Sequence, residues 1–194
     1  MTSREYILQK IKENKPELSP LPDIPDFERN DVDLVQHFTE VIKFVGGRVE
    51  TVYNIETVIN SINHNFSDCK QVVNLVSELK MGNVNISAIN DPHELKTVEL
   101  AIIKGEFGVS ENGAIWFNTN DLVHRALPFI TQHLVVILRK ESLVWNMHQA
   151  YNRIENSDIN GYGVFISGPS KTADIEQSLV IGAHGSRSLI VYLV

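Results

Sequence analysis

The run Leu134-Val135-Val136-Ile137-Leu138 is apolar at every position and rich in β-branched residues, which reads as a strand buried on both faces. Such a strand needs a cover on each side of its sheet, and this requirement narrows the possible folds. Around it the pattern alternates between two periods. Amphipathic helices are predicted over residues 32–45, ended by Gly46-Gly47, and over 55–63, with Asn54 as N-cap. Strand-like runs fall at 48–53, 71–76, 84–88, 98–103, 113–118, 134–139, 163–167 and 188–194. Further helices are predicted near 120–130 and 142–155, and from the turn after 167 to about 181. This alternation implies an α/β domain over 31–194 with a mostly parallel sheet covered on both faces. Ligands are then expected where loops leave the carboxyl ends of the strands.

Residues 2–14 place Tyr6, Ile7 and Ile11 on one side of a helix, and 15–25 hold four of the seven prolines, which favour extended chain. Residues 1–30 therefore read as a helical arm and a proline-rich linker. The arm either folds back on its own domain or docks on a partner or a second copy, so a homo-oligomer is one expectation.

Seventeen basic against 24 acidic residues give a net charge of −7, which opposes phosphate-backbone binding and argues against nucleic acid as a partner. The longest apolar run, 189–194, has six residues against the roughly 20 of a bilayer-spanning helix, so no membrane segment is predicted. The opening residues lack the basic, apolar and small-residue pattern of an export signal, which predicts a cytoplasmic chain. Cys69 is the single cysteine, so it can neither form an internal disulfide nor supply the thiolates of an iron–sulfur cluster. The seven histidines are scattered without ligand spacing, and neither a metal nor a cofactor bound by this chain is predicted.

Two loops carry residues suited to chemistry. In Lys104-Gly105-Glu106-Phe107-Gly108-Val109-Ser110-Glu111-Asn112-Gly113, Glu111 is a candidate catalytic carboxylate, able to act as nucleophile or base. The same residues also suit a plain hairpin in which Asn112-Gly113 supplies the turn and Glu111 is solvated. The second loop, Ile166-Ser167-Gly168-Pro169-Ser170-Lys171-Thr172-Ala173-Asp174, reads as a strand, a glycine turn and a helix start. Ser167, Gly168, Ser170, Thr172 and Asp174 are its candidate ligand-binding residues, whose amides and hydroxyls would meet a carboxylate or other anion. An ordinary helix-capping turn fits equally. Gly163 and Gly168 have phosphate-loop spacing, but Pro169-Ser170 stand where Lys-Ser/Thr belong, which excludes ATP hydrolysis of that type. His184 and Arg125 are secondary candidates for ligand contact, and each also suits a plain structural role near a helix end.

The segment Phe165-Ile166-Ser167-Gly168-Pro169-Ser170-Lys171-Thr172-Ala173-Asp174-Ile175-Glu176, followed by Gly182-Ala183-His184-Gly185 and Arg187, resembles the LUD domain of LutC-type lactate utilization proteins. The likeness extends back through Arg125, Leu127-Pro128 and the Glu111 loop. It implies a three-layer fold like that of glucosamine-phosphate isomerase, ribose-phosphate isomerase and the CoA transferases. It also implies a role in oxidising L-lactate to pyruvate beside iron–sulfur partner proteins, with this chain a ligand-binding or accessory subunit for a small carboxylate. On that reading the turn, Glu111 and His184 would line one pocket. Two departures stand out: Ser110-Glu111-Asn112-Gly113 replaces the family's Glu-Thr-Gly, and Ser186 replaces the proline after His-Gly. Ser-Glu-Asn-Gly is itself similar to the short motif of class I CoA transferases, which implies the alternative of an acyl-CoA or CoA-transferase-like enzyme using Glu111 as nucleophile.

Overall fold

The computed structural model describes residues 2–20, 22, 25, 27, 29, 31–155, 162–175 and 178–194, leaving out the side chains of residues 119, 173–175, 178 and 179. Its helices are α1 Ser3–Glu13, α2 Leu34–Phe44, α3 Ile55–Asn65, α4 Leu127–Ile130 and α5 Met147–Glu155. The first six strands are β1 Arg48–Thr51, β2 Val72–Asn74, β3 Leu100–Lys104, β4 Phe107–Val109, β5 Ala114–Asn118 and β6 His133–Leu138. The others are β7 Leu143–Val144, β8 Gly163–Ile166, β9 Lys171–Ile175, β10 Ser178–Ile181 and β11 Ser188–Leu193.

The apolar run at 134–138 lies in β6, the middle strand of a five-stranded sheet ordered β1-β11-β6-β3-β2, in which every pairing is parallel. Successive side chains point to opposite faces. Leu100, Ile102, Val135, Ile137, Ile190 and Tyr192 pack with Val58 and Ile62 of α3 on one side. Ala101, Ile103, Leu134, Val136, Leu138, Leu189 and Val191 pack on the other against Phe38 and Ile42 of α2 and Ile115 and Phe117 of β5. Asp33 caps α2 by accepting the amides of Val35 and Gln36, and Asn54 caps α3 by accepting that of Thr57, as residues of this type do at helix starts. The buried Tyr192 hydroxyl is satisfied by Ser61 Oγ at 2.8 Å.

A second sheet, β7-β4-β5-β8, covers the α2 face, and α5 lies beyond it, with Ala150 packed among Phe107, Val109, Ala114 and Trp116. The β4–β5 connection is a hairpin with Gly113 at φ +68°, but Asn112 is not at positive φ and Glu111 accepts the Met147 amide, so the reading of an Asn112-Gly113 turn with a merely solvated Glu111 holds only for the hairpin itself. The result is a mixed α/β fold whose parallel central sheet lies between two covering layers.

Four expected elements differ. The predicted strand at 84–88 is a short 3-10 turn, Ile86–Ala88, because Asn83 and Val84 already occupy the backbone edge at Val72. The helix expected near 120–130 is divided by Val123 at φ +55° into a 3-10 turn, Thr119–Leu122, and the single turn of α4. The segment 142–155 first gives β7, paired with β4, before α5 begins. After residue 167 the described residues form no helix but the antiparallel pair β9–β10, with the Ser170 amide donating to Ser186 and its carbonyl accepting from Gly182. The arm helix α1 buries none of its residues, and no helix among the described residues is long and apolar enough to cross a membrane.

Candidate functional site

The chain leaving the carboxyl end of β1 enters α3 on one face of the parallel sheet, whereas the connections leaving β2, β3 and β6 contribute Ile86, Leu95, Ile115 and Leu143 to the opposite face. A reversal of this kind opens a crevice at the carboxyl ends of the strands, where open α/β sheets bind ligands. Two cavities of about 590 and 330 Å³ lie along this edge and share Val76, Glu78, Lys104 and Arg139, so they form one two-lobed groove.

The larger lobe is charged. Lys104 and Arg139 come from the ends of β3 and β6, Glu106 follows β3, and Asp121 and Arg153 approach from the 3-10 turn after β5 and from α5. Burial, reinforced by the negative charge of Asp121, pushes the Glu106 carboxyl above the ordinary carboxylate range, against the pull of Arg153 and the Asn118 side chain. Arg153 is held in place by donating to the Ser142 carbonyl at 3.2 Å and by lying 4.9 Å from the Phe107 ring centre. Glu78 is driven the other way: its own amide, the Ser77 hydroxyl at 3.0 Å and Lys104 keep it ionised below the ordinary range. The smaller lobe is more apolar, lined by Val52, Ile55, Ile137 and Val194, with Tyr53 at its edge and Lys140 Nζ 5.6 Å from the Tyr53 ring centre.

The residues singled out from the sequence lie elsewhere. The turn holding Ser167, Gly168 and Ser170 sits at the amino ends of the parallel strands: Gly168 is against Val45, which precedes β1, and Ser170 is against Gly185 and Ser186, which precede β11. Because β9 replaces the expected helix, Thr172 lies in a strand and the turn has no helix dipole to offer an anion. Asp174 belongs to β9, and its side chain is outside the described residues. His184 is exposed in the loop between β10 and β11, and Arg125 is exposed with its guanidinium 5.4 Å from the Tyr162 ring centre. Ser167 Oγ donates to the Asn112 carbonyl at 2.8 Å, which ties the turn to the Glu111 hairpin.

Glu111 is exposed at a separate cleft of about 460 Å³, with Arg29, Trp145 and His148. Its neighbour Ser110 is fully buried; its hydroxyl donates to the Leu34 carbonyl and its own carbonyl accepts from His37 Nδ1. Sequence reasoning quoted Lys104 and Glu106 in the first loop but singled out Glu111 there, and it assigned no role to Arg139. The available signal was their place directly after the two most apolar strand runs, at the edge where ligands were expected.

A parallel sheet with a reversed crossover and a charged groove at the carboxyl edge defines a layered α/β domain. This chain belongs to the LUD domain family, whose model matches residues 4–194. Lactate utilization protein C of Bacillus pumilus is 33% identical over 99 residues, covering 48% of this chain and 41% of that protein. The protein of the same name from Anoxybacillus flavithermus is 27% identical over 158 residues, 81% of this chain and 68% of its own. The match to the first of these spans about two fifths of the relative's length. The crystal structure of a DUF162 family protein from Deinococcus radiodurans superposes with a TM-score of 0.60 at 17% identity, covering 83% of this chain and 96% of that one, a likeness of fold.

Proposed function

We propose that this chain serves lactate utilization as a binding or accessory subunit beside iron–sulfur partner proteins, holding a small carboxylate such as L-lactate or pyruvate in the charged lobe. The observation that carries the reading is the gathering of Lys104, Arg139 and Arg153 around the half-buried Glu106 at the carboxyl ends of the strands. A guanidinium offers paired donors that match a carboxylate. Glu106, whose proton affinity is raised by burial, donates to a keto oxygen when protonated and accepts from a hydroxyl when ionised. The names of the relatives supply lactate as the ligand's chemical setting. A single cysteine, Cys69, cannot supply the thiolates of a cluster, which fits a subunit that leaves electron transfer to partner chains.

Thermal-shift titration with L-lactate and pyruvate tests the ligand, and recovery of tagged protein from its native host, with assay for iron and acid-labile sulfide, tests the partners. The expected results are a saturable shift that Arg139→Ala weakens and co-purified cluster proteins. A folded protein indifferent to both acids would overturn the binding assignment.

A second reading, acyl transfer through Glu111, is favoured by the exposure of that carboxylate at a cleft beside Arg29 and His148. The carboxylate would attack an acyl-CoA carbonyl and expel the thiolate, which would then attack the resulting anhydride to give a glutamyl thioester and a free acid. Hydroxylamine trapping with acetyl-CoA or succinyl-CoA decides it: a mass change localised to Glu111 supports the reading, and an unmodified Glu111 removes it.

A further inference from the structure

We propose that the smaller lobe of the groove is a nucleotide subsite, in which an adenine-type base lies on Tyr53, its ribose hydroxyls reach Glu78 and its phosphates meet Lys104 and Arg139. The inference rests on the groove being the ligand site and adds a second ligand class to it.

Location argues first. The lobe is lined by Val52, Tyr53 and Ile55 from the exit of β1, by Ile137 from β6 and by Val194 after β11, so it is the crevice at the reversed crossover itself. Size argues next. Cavities of about 590 and 330 Å³ joined by shared residues have the dimensions of sites for cofactor-sized ligands, far beyond a three-carbon acid.

The lining holds a group suited to each part of a nucleotide. Tyr53 is 90% exposed although it borders a cavity with apolar walls; Lys140 Nζ approaches its ring from one side, and the opposite face is the stacking platform of the proposal. Lys104, Arg139 and Glu78 belong to both lobes, so two cations and one carboxylate stand at their junction, with Lys140 close to the tyrosine. Glu78, shortly after β2 and held ionised, is an acceptor of the kind that takes ribose hydroxyls in dinucleotide-binding sheets. The turn Val52-Tyr53-Asn54-Ile55 has no glycine, and the Asn54 side chain is spent on capping α3. Phosphate is therefore held by the side-chain cations and not by a glycine-rich backbone cradle, which makes binding sensitive to salt.

Isothermal titration of the full chain with ADP, adenosine, inorganic phosphate and pyruvate tests this. ADP is expected to bind saturably and more tightly than adenosine or phosphate. Tyr53→Ala should weaken ADP about tenfold and leave pyruvate unchanged, while Arg139→Ala weakens both. Pyruvate binding without ADP binding overturns the nucleotide subsite and leaves the small-carboxylate reading standing. ADP binding without pyruvate binding does the reverse, and binding of neither overturns both. ADP affinity indifferent to Tyr53→Ala overturns the proposed placement of the base.

Discussion

The carboxylate of Glu111 accepts the backbone N–H of Met147, the first residue of α5, at 3.1 Å across 36 positions of sequence. The first amides of a helix have no partner within it, and a carboxylate there satisfies one of them while meeting the positive end of the dipole. Asn146 accepts a second such amide, from Gln149, at 2.9 Å. Glu111→Ala should therefore lower stability by about 1 kcal/mol, and Glu111→Gln, which keeps an acceptor, by less. Urea unfolding of the three proteins measures both.

Glu106 gives a pH prediction of definite sign. Its carboxyl in the folded chain is raised above the ordinary range by burial and by Asp121, so the folded state binds its proton more tightly than the unfolded state does. The stability associated with that proton is complete below the unfolded pKa and is lost as pH rises through the folded one. Glu106→Gln should consequently be no less stable than the parent at pH 7 and should flatten this part of the profile. If Glu106 donates a proton to pyruvate, binding in the parent should weaken as pH rises through the same window. In the glutamine variant it should not, as titrations from pH 4 to 8 would show.

The parts of the fold that were legible in the sequence are those where burial is two-sided or a cap is local. Leu134 to Leu138 marked the central strand because no polar residue interrupts it, and Asn54 marked α3 because its side chain serves an amide three residues on. The pair β9–β10 was not legible: its Ser170 turn is held by Ser186 and Gly182, contacts that local pattern does not encode. The groove was legible as a place but not as a set of residues. Glu106 acquires its character from Asp121 and Arg153, which reach it only after the second sheet and α5 have packed.

Gly163 begins β8 beside Trp116, and a Cβ built there would lie 2.0 Å from the indole ring. Trp116 also lies 4.6 Å, centre to centre, from Phe165 and cannot retreat without disturbing that pair. Overpacking of this kind costs about 1–3 kcal/mol and displaces the ring. Gly163→Ala should unfold at lower urea concentration with altered tryptophan fluorescence. An unchanged midpoint would show that β8 is free to move away from β5.

The small carboxylate of the proposed function has two candidate sites, which lie at opposite edges of one sheet. Arg139 stands at the carboxyl ends of the strands, in the groove, while Ser170 stands at the amino ends with its amide given to Ser186. Loss of a charged donor from a carboxylate site costs roughly 1.5–3 kcal/mol, a weakening of about 10- to 150-fold. Arg139→Ala is therefore expected to reduce pyruvate or lactate affinity by about that much, and Ser170→Ala to leave it within about twofold. The opposite result would move the site to the turn, since the strands between the two edges leave no room for one three-carbon acid to touch both. Because Arg139 is exposed and Ser170 makes its described hydrogen bonds through the backbone, neither change should disturb the fold. Affinity alone then separates the two edges.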